Sequence, residues 1–214
     1  MSQIRFSRRR WLAASAAGLA AGLTGATRGI SAGESAPQSW PAPFRFGLNT
    51  GTIRGQKLGI VKEVEIAAEA GYDAIEPWVG DIAAYERDGG SLDDLRKRIA
   101  DLGLTVEGAI AFAQWIVDDE ARRQKALEQA RREMQTVKAI GGVRIAAPPA
   151  GANREPGLDL LEAAKRYRAL LEVGDEVGVV PALEIWGPSA NLHRLGEAAF
   201  VAIESGHPKA CLLP

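Results

Sequence analysis

From Phe44 onward, short apolar runs exchange with longer stretches whose apolar residues recur every three or four positions. The short runs lack polar alternation, as strands do when a parallel sheet is covered on both faces. They predict strands at 45–49, 74–77, 105–109, 143–147, 180–185 and 210–213. The longer stretches predict five helices. The first, 60–70, is short. The second carries Leu92, Leu95, Ile99 and Leu102, with Ser91 and Asp94 as a capping box and Gly103 as C-cap. The third runs through Leu127, Ala130, Met134 and Val137 to Gly141 and opens at Asp118 or Asp119. The fourth uses Leu160, Ala164, Tyr167, Leu171 and Gly174. The fifth follows Asn191 with Leu192, Leu195, Ala199 and Ile203, and stops at Gly206-His207-Pro208.

A glycine ends each helix and opens the next strand: Gly71, Gly103, Gly141, Gly178 and Gly206, at intervals of 32, 38, 37 and 28 residues. That spacing suits one strand–helix unit per repeat. The fold class is therefore α/β with right-handed crossovers. Between an open doubly wound sheet and a (β/α)₈ TIM barrel, the pattern favours the barrel. Six strands and five helices amount to about three quarters of one, since such barrels run to about 250 residues.

The N-terminal segment has another character. Ser7-Arg8-Arg9-Arg10-Trp11-Leu12 precedes a small-residue apolar stretch from Ala13 to Ala26, with no acidic residue before Glu34. A basic region, a short apolar region and a small-residue cleavage zone predict a signal peptide rather than a membrane span. The paired arginines before Trp-Leu resemble a twin-arginine export signal, whose machinery carries folded proteins to the periplasm or beyond. Cleavage after Ala26 or after Ala32 fits equally. Residues 1–36 are thus assigned to signal and linker, and 37–214 to the partial barrel, with no stable membrane insertion once the signal is removed.

Composition narrows the partners. A formal net charge of −1, with basic residues beside acidic ones as in Arg131-Arg132-Glu133, argues against a nucleic-acid footprint. The single cysteine, Cys211, excludes an intrachain disulfide framework and suits a small apolar core position. Gly47, Gly51 and Gly55 lack the dinucleotide fingerprint, and Gly55-Gln56-Lys57 lacks the upstream spacing of a P-loop. His193 is read on a helix and His207 in a helix-ending turn, both in structural roles.

In a barrel the loops after the strands build the active face. Reading strand ends gives Asn49, Glu76 with Trp78, Glu107, Pro148-Pro149, and Glu184 with Trp186. Carboxylates at one rim hold a divalent cation or exchange protons with carbon-bound hydrogens. Tryptophan faces suit the C–H faces of sugars as well as ordinary packing. Glu184 closes the apolar run Val179-Val180-Pro181-Ala182-Leu183, where a lone charge demands a cation or donors. Asn49 could also simply turn the chain, Glu76 could be salt-bridged, and Glu107 could cap a loop.

The phrases Ala74-Ile75-Glu76-Pro77-Trp78 and Ala182-Leu183-Glu184-Ile185-Trp186, on this repeat, resemble the xylose-isomerase-like sugar isomerase/epimerase family over about 44–214. The resemblance implies a barrel that binds one divalent cation (Mn, Mg, Co or Zn) through Glu, Asp, His and Glu. Glu184 matches the first of these, as metal ligand and as one of the carboxylates that move a proton α to a carbonyl. The remaining three are expected beyond Pro214, so the chain as given is expected to be inactive by itself. A small-molecule sugar or sugar derivative is the implied substrate, with Asn49, Glu76, Trp78, Glu107 and Trp186 as substrate contacts. A lyase or hydrolase on oxidised glycosides, and a non-catalytic exported carbohydrate-binding barrel, are the alternatives; an abasic-DNA endonuclease is disfavoured by the charge.

Overall fold

In a computed structural model, residues 44–214 form an arc of parallel strands with helices packed against its outer face. The signal and linker assignments lie outside these described residues. In order the elements are β1 (Gly47–Asn49), a 3₁₀ helix (Thr50–Gln56), α1 (Ile60–Glu69), β2 (Ala74–Glu76), α2 (Val79–Arg87), α3 (Leu92–Asp101) and β3 (Thr105–Val106). Then come α4 (Glu120–Ala139), β4 (Arg144–Ala147), α5 (Leu160–Val177), β5 (Val180–Glu184), α6 (Leu195–Glu204) and β6 (Leu212–Leu213).

The strands pair in chain order, β1-β2-β3 and β4-β5-β6, all parallel. The two triplets join where the chain beyond β3 continues along the sheet. There the Ala146 N–H donates to the Ala109 carbonyl at 2.8 Å, and Ile110 bridges Trp78. Six consecutive strands and their crossover helices are the first part of a (β/α)₈ barrel, as the pattern predicts. Leu48, Ile75 and Val106 turn outward to one buried cluster with Ile60, Val64, Leu95 and Ile99. Ile145, Leu183 and Val179 turn outward to a second, with Met134, Tyr167 and Leu171. Alternation then sends Asn49, Glu76 and Glu184 to the opposite, inner face.

All five hinge glycines adopt positive φ, from 60° at Gly206 to 92° at Gly141. Their lack of a side chain is what permits the left-handed turn from helix to strand. Ser91, Asp119 and Asp159 cap α3, α4 and α5 by accepting from backbone N–H groups.

Several expectations are corrected. An additional helix, α2, follows β2 directly; only Val79 and Ile82 of it are buried, too few to write a stripe. The strands are shorter than expected, most of all β3, because Glu107 onward leaves regular pairing. The last helix starts after Arg194, not Asn191, and His193 lies in the preceding loop. Leu195 and Ile203 face outward at 63% and 74% exposure, while Ala198, Val201 and Ala202 are buried. This helix is apolar around most of its circumference, so period alone cannot choose its inward face.

Candidate functional site

Three side chains from the first two strand ends form one network. Asn49 ends β1 and caps the 3₁₀ helix, its Oδ1 accepting from Gly51 N–H at 2.9 Å. The same Oδ1 accepts from Trp78 Nε1–H at 3.2 Å. With its oxygen so engaged, the amide presents Nδ2 to Glu76 and donates to Oε2 at 2.7 Å. The register allows this because Asn49 lies beside Glu76 across the β1–β2 pair. Gly51 and Gly108 leave the necessary room. A Cβ at Gly51 would stand 2.5 Å from Trp78 Nε1, and one at Gly108 2.9 Å from Glu76 Oε1.

Glu184 ends β5, half-buried, with Oε2 buried and without a hydrogen-bond partner. Burial pushes its pKa up, and the Glu76 charge pushes it further. Burial also raises Glu76, while the Asn49 hydrogen bond opposes that rise. A buried oxygen that lacks a donor and faces a like charge calls for a proton or a cation.

Aromatic rings wall the rim. Trp78 and Phe112 lie with centroids 5.3 Å apart, and Phe112 and Trp186 with centroids 6.0 Å apart, both pairs tilted. Arg54 sits 4.4 Å over the Trp78 ring. Phe112 and Arg54 were not expected as site residues. Phe112 lies in the loop after β3, where reading only the strand end stops at Glu107.

Glu107 is brought together with other partners. It binds Arg45 Nη1 at 2.7 Å and Thr105 Oγ1 at 2.8 Å, toward the strand starts and apart from the Asn49–Glu76 pair. His207 is engaged at both ring nitrogens, accepting from Lys209 N–H at Nδ1 and facing Asp175 Oδ2 at 3.2 Å from Nε2. Cys211 is a half-buried free thiol.

Residues 64–211 match the family model described as a xylose isomerase-like TIM barrel. The chain belongs to the xylose isomerase-like TIM barrel family. No curated protein matches it by sequence. Among solved structures it is similar to the IolI protein with a bound zinc atom, at TM-score 0.70 and 19% identity, covering 79% of this chain and 62% of that one. It is also similar to an L-ribulose 3-epimerase, at TM-score 0.62 and 22% identity, covering 78% and 59%. A third is the 3-keto-D-glucoside 4-epimerase of E. coli, at TM-score 0.60 and 18% identity, covering 78% and 66%. The chain thus spans about three fifths of the length of the first structures it resembles. At these identities the likeness is one of fold, and the proteins that share it include two sugar epimerases.

The donor chemistry suits a divalent cation at Glu184, whose buried, unpartnered oxygen is a hard anionic ligand. Among the described residues no group of three His, Cys, Asp or Glu side chains gathers, so Glu184 and Glu76 are what this part of the barrel offers.

Proposed function

We propose that the complete protein is a sugar isomerase or epimerase that moves a proton α to a carbonyl. The observation that carries this reading is the buried, unpartnered Oε2 of half-buried Glu184, within electrostatic reach of Glu76. Glu184 would hold a divalent cation and carry the proton as its carboxylate; without the cation, burial and the Glu76 charge disfavour that ionised form, which a cation there would restore. A cation bound there would supply positive charge to offset the negative charge that develops as the proton leaves. Asn49 orients Glu76 toward the sugar hydroxyls, and Trp78, Phe112 and Trp186 meet its C–H face. Family membership and the epimerases among its structural relatives support the assignment. Residues 1–36 act in this reading as a twin-arginine signal, and the substrate is met outside the cytoplasm.

Elemental analysis of the full-length protein tests the site. Wild type is expected to carry about one divalent ion per chain, and Glu184→Gln to lose it. Incorporation of solvent deuterium into a sugar C–H position is expected in wild type and lost in the variant, a fall of about 10²–10⁴ for removal of a proton-transfer group. Absence of metal and of exchange in both proteins would leave a carbohydrate-binding barrel as the better account.

A further inference from the structure

A cavity of about 820 Å³ opens between the loops that follow β3, β4 and β5, lined by neither Glu76 nor Glu184. Its lining includes Gln114, Arg122, Asn153, Arg154, Glu155 and Asn191. Two of these loops also carry the aromatic wall. Phe112 precedes Gln114 by two positions with buried Ala113 between, and Trp186 precedes Asn191 on the loop after β5. The wall and the cavity therefore share the loops after β3 and β5.

The cavity is built rather than incidental. Buried Asn191 donates from Nδ2 to the carbonyls of Ala152 at 2.6 Å and Glu155 at 2.7 Å, and its Oδ1 accepts from Leu158 N–H. The Ala190 N–H donates to the Asn153 carbonyl at 2.8 Å. These bonds hold the backbone of the β4–α5 loop to the β5–α6 loop. They leave the side chains of Asn153, Arg154 and Glu155 with no hydrogen bond or ion pair among the described residues. An amide, a guanidinium and a carboxylate, free at the edge of a fixed concavity, present alternating planar donors and acceptors. That is the chemistry that recognises adjacent hydroxyls. The volume falls in the range of about 300–1,000 Å³ that encloses drug-sized ligands, well beyond one hexose ring.

We propose that this cavity is a subsite for a second, hydroxylated unit of the substrate, so that the protein takes a disaccharide-sized glycoside whose reacting ring carries a carbonyl, rather than a free monosaccharide. The inference rests on the sugar reading above and extends it outward along the rim: the reacting ring lies at Glu76 and Glu184, the aromatic wall spans the junction, and Asn153 and Arg154 hold the second unit.

Titration calorimetry on the full-length protein tests it, with cellobiose and maltose against methyl β- and α-glucoside. At least one disaccharide is expected to bind tenfold or more tightly than the matching methyl glycoside. The Asn153→Ala/Arg154→Ala double variant is expected to bring the two within twofold while leaving methyl glycoside affinity unchanged. Should that variant melt earlier than wild type, Arg154→Gln alone, at an exposed position, is expected to remove part of the gain. Equal affinities in wild type, or a variant that weakens both ligands alike, overturn the subsite and leave the sugar reading standing. Binding of none of the four overturns the subsite, while metal content and deuterium exchange decide the sugar reading separately.

Discussion

Glu184 and its neighbours act at the scale of single atoms. Without a bound cation, the ionised carboxylate is disfavoured by burial and by Glu76. Glu184→Gln keeps the shape and removes the charge. In chelator-treated protein at pH 7.5 the variant is therefore expected to melt higher than wild type, by about 2–4 °C for each kcal/mol relieved. A lower melting temperature would mean that a cationic group already satisfies Glu184. Gly51 tests the other half of the site. A methyl group there meets Trp78 Nε1 and Asn49 Oδ1, so Gly51→Ala must break the hydrogen bond between them. The expected cost is about 1–3 kcal/mol, with a change in tryptophan emission; an unaltered spectrum would count against the network. The strand-end positions of Asn49, Glu76 and Trp78 are legible along the chain because the end of an apolar run is a local feature. Their mutual bonding is not, because it depends on the β1–β2 register.

At the scale of elements, helix and strand meet most closely where α5 crosses β5. A Cβ at Gly174 would lie 2.5 Å from the Val179 carbonyl oxygen and 2.7 Å from the Pro181 ring. Alanine gains up to about 1 kcal/mol in helix propensity over glycine, yet overpacking costs about 1–3 kcal/mol. Both neighbours are stiff, so the clash wins. Gly174→Ala is expected to lower the urea midpoint with an unchanged slope, and a rise would show that α5 can lift off the strand. The Tyr167 hydroxyl ties the same pair together by donating to the Pro181 carbonyl at 2.8 Å, and burial pushes its pKa well above the ordinary phenol range. The apolar stripe of α5 is readable because polar residues mark its outer face. That of α6 is misread because Leu195, Phe200 and Ile203 lie outside while alanines and a valine lie inside. The short α2 escapes notice for want of both a stripe and a side-chain cap.

Across the whole molecule, buried carboxylates away from the site set a pH dependence. Glu63 is 3% exposed with Oε2 unpartnered, and burial together with Asp81 raises its pKa above the ordinary 4.5. Burial likewise raises Glu133, against the pull of Gln129 and Arg132. A raised folded pKa means that the stabilisation is complete below the unfolded value and is lost as pH rises through the folded one. Chelator-treated protein is thus expected to resist urea better near pH 5.5 than near pH 8, and Glu63→Gln to be more stable than wild type at pH 8, by about 1 kcal/mol. A stability that climbs steadily with pH would contradict this. Much of the architecture was open to reading in advance: short unbroken apolar runs mark strands, a period near 3.6 marks helices, and five glycines mark the turns, each later found at positive φ. These are properties of neighbouring residues, and so the chain itself determined the α/β class, the order of its units and the strand ends where polar groups emerge. Tertiary structure alone decided which of those groups meet. Curvature of the sheet brings Glu184 of β5 within electrostatic reach of Glu76 of β2, and the loop beyond β3 carries Phe112 between two tryptophans. Those meetings depend on register, twist and loop path summed over several strands, and no local pattern encodes them.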